Sequence, residues 1–410
     1  MALIDYVPRA FLLVKKPVKF RIGYTRIPRY VIMPTVYGDI SYLQNIAFLK
    51  RYSDKVVICT SKYESQEFYR SLRQVCRQYG FRYICTELPF ANGKPIKNAY
   101  TIYKGAFHSL NRLGVRKDTP CLLMDADTYS HQNVNNLMRT FIAEGIDVSS
   151  LRCEVANPQT IIENLQAFEY RLAMDNRRMD PWLTSGACNV AKASVLQRVF
   201  SKHSHFFAGG DIEIGKLAQV MGYKVKHIDF TFYTAAPDTF KDWFNQRIIW
   251  FAGGIRHHVT NIGSYGWLHF FMLFYNSFLI YLLLPLRWIE LINFPFTLLV
   301  LIVLSWVYTA VLVSGRGWRP LYLLLPFYSF IQSMVIIPIA FGRYLKLVRQ
   351  QRSLGLLRYE LHHFSFSTRL VHKLLNFSSA FIVIYAAISF TLTRWEYWAQ
   401  NGMIARLIFR

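Results

Sequence analysis

The run Cys121-Leu122-Leu123-Met124 leads straight into Asp125-Ala126-Asp127, so a short apolar segment ends on two carboxylates one residue apart. An apolar run of this length, bounded by charge, has the dimensions of a buried strand rather than a helix. A strand that is apolar on both faces needs cover on both sides, and the surrounding chain supplies it. Apolar runs at 30–34, 55–59, 81–85 and 121–126 read as strands, and amphipathic stretches at 41–52, 66–79, 97–113 and 134–144 read as the helices between them. This alternation predicts an α/β fold with a mostly parallel, doubly wound sheet, whose ligands gather beyond the carboxyl ends of the strands. Asp125 and Asp127 fall at such an end. Paired carboxylate oxygens there suit a hard divalent cation bridging to a diphosphate.

The rest of the chain is too apolar for an ordinary soluble domain: 53% of its 410 residues are hydrophobic and 16% aromatic. Residues 267–286 and 291–313 are each about long enough to cross a bilayer, with Arg287-Trp288-Ile289-Glu290 as a polar link, and 375–393 is a further span. The stretch 320–341 is broken by Pro320, Pro326 and Pro338. A full crossing there would place the basic segment 343–373 outside, against the positive-inside tendency, so it reads as interfacial or re-entrant. The expectation is a multi-pass protein of the cell membrane with its folded domain cytosolic, since the N-terminus lacks the pattern of a secretory signal. The net charge of +24 suits an anionic membrane face or substrate; nucleic acid is the weakest of the candidate partners, because no zinc-finger or RNP signature accompanies the charge. Six cysteines without CxxC spacing read as reduced packing residues. His257-His258 and His362-His363 read as interfacial side chains.

Downstream of the acid pair come Ser185-Gly186-Ala187, the turn Gly209-Gly210-Asp211, and Gln246 with Trp250 at helical i, i+4 spacing. Each has an ordinary structural reading: a DxD is often a solvated turn, Gly-Gly-Asp can be a helix cap, and Trp250 can anchor an amphipathic helix at an interface. In their order, however, the DAD, the glycine-rich acidic turn and the Q-x-x-x-W before apolar spans resemble the family-2 membrane glycosyltransferases, which include hyaluronan, chitin and cellulose synthases and ceramide glucosyltransferase. Val31 to Tyr37, Gly93-Lys94 with Asn98, and Phe366-Ser367-Thr368-Arg369 resemble further elements of that family.

The resemblance implies a GT-A-type nucleotide-sugar-binding domain followed by interfacial and transmembrane helices. The implied organisation is a basic amphipathic segment at 1–29, the catalytic domain at 30–235, interfacial helices at 236–265, a transmembrane hairpin at 266–313, an interfacial segment and basic cytosolic loop at 314–374, a span at 375–393 and a tail at 394–410. It implies Asp211 as catalytic base, Asp127 and Asp125 around Mn2+ or Mg2+, and Asp125 with Lys94, Arg369 and the Thr60 region around the nucleotide. It further implies Gln246, Trp250, Ser185 and Gly186 around the acceptor. The leading expectation is an inverting enzyme that extends a polysaccharide from a nucleotide sugar, UDP by default, at the bilayer and compatible with an oligomer. The alternatives are single-sugar transfer to a lipid acceptor such as ceramide or polyprenyl phosphate, and a non-catalytic scaffold or transporter with a degenerate domain. Two departures motivate the scaffold alternative: Ile249 stands where the family carries the arginine of Q-x-x-R-W, and the uracil-binding aspartate has Glu64 as its nearest acid; Gly210 also replaces the usual acid before the base.

Overall fold

A computed structural model describes residues 26–91, 93–110, 114–179, 181–203, 209–261 and 317–353, with seven single positions between 299 and 313. The chain divides into two units, Met1–Gln246 with Arg349–Glu360, and Arg247–Val348 with Leu361–Arg410.

The first unit is built on a seven-stranded sheet with the order β3-β2-β1-β6-β8-β7-β9. Its strands are β1 (Val31–Thr35), β2 (Val57–Ser61), β3 (Arg82–Thr86), β6 (Pro120–Asp125), β7 (Val148–Val155), β8 (Cys188–Lys192) and β9 (Val225–Thr234). Pairings of β1 with β2 and β6, of β2 with β3 and of β7 with β9 are parallel; β8 alone runs against its neighbours β6 and β7. The sheet is therefore mostly parallel, as the alternation predicts. A separate two-stranded hairpin joins β4 (Phe90–Ala91) to β5 (Lys94–Pro95).

Apolar layers cover both faces. Ile32, Ile58, Leu122 and Met124 point into one core with Phe141 and Phe230, while Val31, Met33, Cys121 and Leu123 point into the other with Phe107 and Phe200. This is the period-two alternation of a strand buried on both sides. The helices around the sheet are α1 (Ile46–Leu49), α2 (Gln66–Tyr79), α3 (Ala99–Ser109), α4 (Val134–Ala143), α5 (Ile161–Met179), α6 (Ala193–Lys202) and α7 (Gly210–Val220). Two starts are fixed by local chemistry: Ser65 caps α2 by accepting from the Phe68 amide at 3.1 Å, and Asn98 and Thr101 form a capping box on α3. Each cap contributes about 1 kcal/mol.

Two expectations are corrected. The stretch 41–52 is not one helix but a 3-10 turn (Ile40–Tyr42), the single turn α1 and a second 3-10 stretch (Lys50–Lys55) with Tyr52 off helical geometry. The cause is tertiary, since Gln44 and Asn45 are committed to the turn after β6. The helix expected over 97–113 starts later, at Ala99, because Asn98 is spent as its cap; residues 111–113 lie outside the described residues. All six cysteines are free and Cys85 is the least buried of them.

A long helix, α8 (Phe240–Asn261), carries the chain from the first unit into the second. In the second unit a 3-10 turn (Pro320–Leu324) leads into α9 (Leu325–Ile331), a π turn (Gln332–Ile336) and α10 (Ile337–Ser353), whose residues from Arg349 on belong to the first unit. Pro326 sits in the first turn of α9, where a missing N–H is harmless, whereas Pro338 follows directly on the π turn, a local break in the i→i−4 ladder of a continuous helical run. Trp318, Leu323, Phe327, Phe330, Ile339, Phe341 and Leu345 are exposed. Among the described residues no helix is long and apolar enough to cross a membrane. Apart from the single positions, the spans expected at 266–313 and 375–393 lie outside the described residues, as do most of the segment at 1–29, Arg369 and the tail at 394–410.

Candidate active site

The carboxyl ends of β1, β2 and β6 share one edge of the sheet, with Thr35 paired to Asp125 and to Cys59. Asp125 is the last residue of β6, and the chain turns at once, the Thr128 amide donating to the Asp125 carbonyl at 3.2 Å. Asp127 therefore projects from a turn rather than from the strand. Two elements clamp that turn. On one side the Gln44 and Asn45 amides donate to the Ala126 carbonyl at 3.0 and 3.2 Å, and Asn45 Nδ2 donates to the Thr128 carbonyl at 2.6 Å. On the other, Tyr129 and Tyr233 exchange backbone hydrogen bonds of 2.9 and 2.7 Å. The end of β9 thereby reaches Asp127, whose carboxylate accepts from the Thr234 hydroxyl at 3.3 and 3.4 Å and from the Ala235 amide at 3.2 Å.

Asp211 arrives from the opposite direction, in the first turn of α7. Gly209 caps that helix in the left-handed region at φ 79°, a conformation that favours glycine. The Gly186 amide donates to Asp211 Oδ2 at 2.9 Å, and the Thr184 hydroxyl donates to the Asp211 carbonyl. The same segment ties to the DAD turn, because the Asp125 amide donates to the Ala187 carbonyl at 3.1 Å. Gly186 keeps the intervening space open: a Cβ there would stand 3.4 Å from Tyr100 Oη and 3.6 Å from Asp211 Oδ2.

The electrostatics follow from this convergence. Burial first, then the neighbouring charges of Asp127 and Asp211, push the Asp125 carboxyl from an ordinary 3.8 up to about 8. Burial also raises Asp211, opposed by the Arg177 guanidinium on α5 and by backbone amides that favour its charged form. Tyr100 and Tyr37 are held un-ionised by burial and then by these acids: Asp211 and Asp125 act on Tyr100, and Asp125 and Glu64 on Tyr37.

Among the described residues no group of three or more His, Cys, Asp or Glu side chains is arranged to hold a metal ion. A closed protein cage is not what Mg2+ or Mn2+ requires beside a diphosphate, where one or two carboxylates share the ion with substrate oxygens and water. Asp125 and Asp127 fit that donor set. The upward push on Asp125 marks negative charge that a cation would neutralise in place of a proton.

The other sequence candidates have contacts of their own. Thr60 is fully buried, its hydroxyl without a hydrogen-bond partner. Lys94 is exposed on β5, and the lysine tied to the end of β2 is Lys97, whose Nζ donates to the Tyr63 carbonyl at 2.6 Å and pairs with Glu64 Oε2 at 3.0 Å. Glu64 is also satisfied by the Gly38 amide at 3.0 Å and by the Ser61 hydroxyl. Ser185 is buried, its carbonyl accepting from Asn189 at 3.1 Å. Gln246 and Trp250 both lie on α8, but Gln246 closes the first unit and Trp250 belongs to the second, where it is exposed with the Arg247 guanidinium 4.3 Å from its ring. Sequence reasoning missed Tyr100, Thr184, Arg177 and Thr234. None of the four stands in a local pattern, and only the fold brings them to the acids.

The family described as Glycosyl transferase family group 2 matches residues 121–331, just over half of the 410-residue chain. The chain belongs to this family. It is a glycosyltransferase, and the family match begins at β6 and takes in the DAD turn, the 184–187 segment and Asp211. No curated protein matches the chain. Among solved structures, one similar chain is 4-diphosphocytidyl-2C-methyl-D-erythritol synthase, at 10% identity over 55% of this chain and 99% of that one, with a TM-score of 0.30. Another is a putative glucose-1-phosphate thymidylyltransferase from Bacillus anthracis in complex with a sucrose, at 13% identity over 50% of this chain and 89% of that one, with a TM-score of 0.31.

Proposed function

We propose that this glycosyltransferase moves a sugar from a nucleoside-diphosphate donor to a growing polysaccharide at a membrane, with inversion at the anomeric carbon. The observation that carries the reading is the meeting of the DAD turn and Asp211 across Gly186, with the Asp125 carboxyl pushed up to about 8 by burial, Asp127 and Asp211. Bound between Asp125, Asp127 and the donor, a Mn2+ or Mg2+ ion would neutralise charge building on the departing diphosphate. Asp127, held by Thr234 and Ala235, presents its oxygens without needing to reorganise. Asp211 takes the proton of the acceptor hydroxyl as its oxygen bonds to the anomeric carbon and the bond to the diphosphate breaks. Its burial raises its affinity for that proton, while Arg177 and the Gly186 amide favour its charged form.

Membrane attachment is supported by the exposed Trp318, Leu323, Phe327, Phe341 and Leu345 and by the apolar spans in the sequence. Trp250, exposed on α8 with the Arg247 guanidinium 4.3 Å from its ring, is the aromatic residue proposed to stack on an acceptor sugar. The second reading is transfer of one sugar to a lipid acceptor, which the same donor site would serve.

The test is nucleotide-sugar turnover by the full-length chain in membranes with Mn2+ or Mg2+, followed by sizing of the radiolabelled product. A ladder of long chains supports the polysaccharide reading, and a lone lipid-linked sugar supports the second. Asp127→Ala should abolish cation-dependent nucleotide retention; retention unchanged by the substitution or by chelator would reject the cation site.

A further inference from the structure

We infer that His203 is a positioning residue for the transfer reaction, holding the first turn of α7 so that Asp211 faces the acceptor. The inference deepens the assignment of Asp211 as base and rests on it.

His203 follows the last residue of α6, and its side chain is wholly buried. Its Nε2 lies 2.7 Å from the carbonyl oxygen of Gly210, the residue immediately before Asp211. A carbonyl can only accept, so Nε2 carries the proton of this bond. Glu213, one turn along α7, places Oε2 3.7 Å from the same nitrogen. The ring itself is fixed by aromatic neighbours: Tyr100 stacks on it at 5.2 Å with planes 26° apart, and Phe200 lies 5.6 Å away at 54°.

These rings press on the backbone beside the base. A Cβ built on Gly210 would come within 2.7 Å of Tyr100 Cδ2 and 2.8 Å of His203 Cε1, closer than real side chains approach. Glycine at 210 is thus what lets the imidazole reach the carbonyl. Three polar contacts then hold the residue pair 210–211: His203 on the Gly210 carbonyl, Thr184 on the Asp211 carbonyl and Gly186 on the carboxylate. Two of these act on the Asp211 residue directly; His203 acts on it through the preceding peptide. Displacement of a base by a fraction of an ångström costs rate more than affinity, because donor binding does not depend on it. An ordinary core histidine would instead alter stability with the rate per folded molecule unchanged.

The experiment compares His203→Leu, His203→Gln and His203→Asn in the full-length chain. It measures sugar transfer from whichever member of a UDP- and GDP-sugar panel the wild type turns over. The glutamine amide reaches the place of Nε2 and can donate to Gly210; leucine fills the space without a donor, and asparagine falls short. We expect kcat to drop about 10- to 100-fold in the Leu and Asn variants, with donor KM within about twofold, and the Gln variant to recover to within about threefold of wild type. If His203→Leu does not fold, the Gln and Asn pair decides: equal kcat in the two overturns the inference. Asp211→Asn is assayed alongside. An inactive Asp211→Asn beside a wild-type kcat in His203→Leu overturns the positioning role alone, whereas full transfer by Asp211→Asn overturns the base assignment and this inference with it.

Discussion

Replacing Asp125 by Asn removes a charge that the fold resists, and the consequence can be read as stability against pH. The carboxyl moves from 3.8 in an unfolded chain to about 8 in the folded one, so the folded state holds a proton there that the unfolded state has released. Between those values the folded form binds more protons. The stabilisation is complete below pH 4 and drains away as pH rises through about 8. A shift of this size corresponds to about 6 kcal/mol at the limit. By linkage that is an upper bound, and even half of it, about 3 kcal/mol, is worth about 6–12 °C in Tm for a domain of this size. The assay is a set of thermal melts on full-length protein in detergent with chelator, from pH 5 to 9, for wild type and Asp125→Asn. Asparagine mimics the neutral acid, so the variant should lose this part of the slope and be the more stable protein at pH 9. Excess Mn2+ should flatten the wild-type slope and leave the variant unmoved. Parallel slopes in chelator, or equal responses to Mn2+, would refute the view that Asp125 is strained by Asp127 and Asp211.

Thr234→Val removes the hydroxyl that spans both Asp127 oxygens at 3.3 and 3.4 Å; isothermal titration should show Mn2+ affinity falling about fivefold, the loss of roughly 1 kcal/mol. Gly186→Ala puts a methyl in ordinary contact with Tyr100 Oη at 3.4 Å and Asp211 Oδ2 at 3.6 Å, so the fold should tolerate it and steady-state kinetics should show at most about a threefold rise in acceptor KM while donor binding holds. Gly215→Ala would place a Cβ 2.1 Å from the Trp182 carbonyl, a rigid backbone atom, and should lower stability by about 3 kcal/mol or prevent folding, read by melting or by yield.

Local signals carried those parts of the fold whose causes are local. Helix α2 runs over Gln66–Tyr79 as the sequence predicts, because Ser65 caps its start and Gly80 closes its end at φ 69°. The apolar run before Asp125 is a strand because both sheet faces are covered. Where distant residues decide, the pattern misleads or is silent. Asn45 breaks an expected helix because its side chain serves the turn after β6. Strands β7, β8 and β9 were not marked out individually, and the reversal of β8 has no signature in its own five residues. In the site, Asp125, Asp127, Asp211 and Gly186 were legible as motifs. Tyr100 and His203 were not, since each is an ordinary aromatic position until α3 and α6 bring their rings together on Gly210.

The tripeptide 185–187 touches both halves of the chemistry through its peptide groups alone: the Gly186 amide on Asp211, and the Ala187 carbonyl on the Asp125 amide. Main-chain wiring of this kind is blind to side-chain identity. Side-chain exchanges at Ser185 or Ala187 leave the gap between the acids constant. Proline at 186, which deletes the donating hydrogen, is the change such drift could not survive. Substitutions around the two acids should therefore leave their spacing intact so long as these two peptide hydrogen bonds remain.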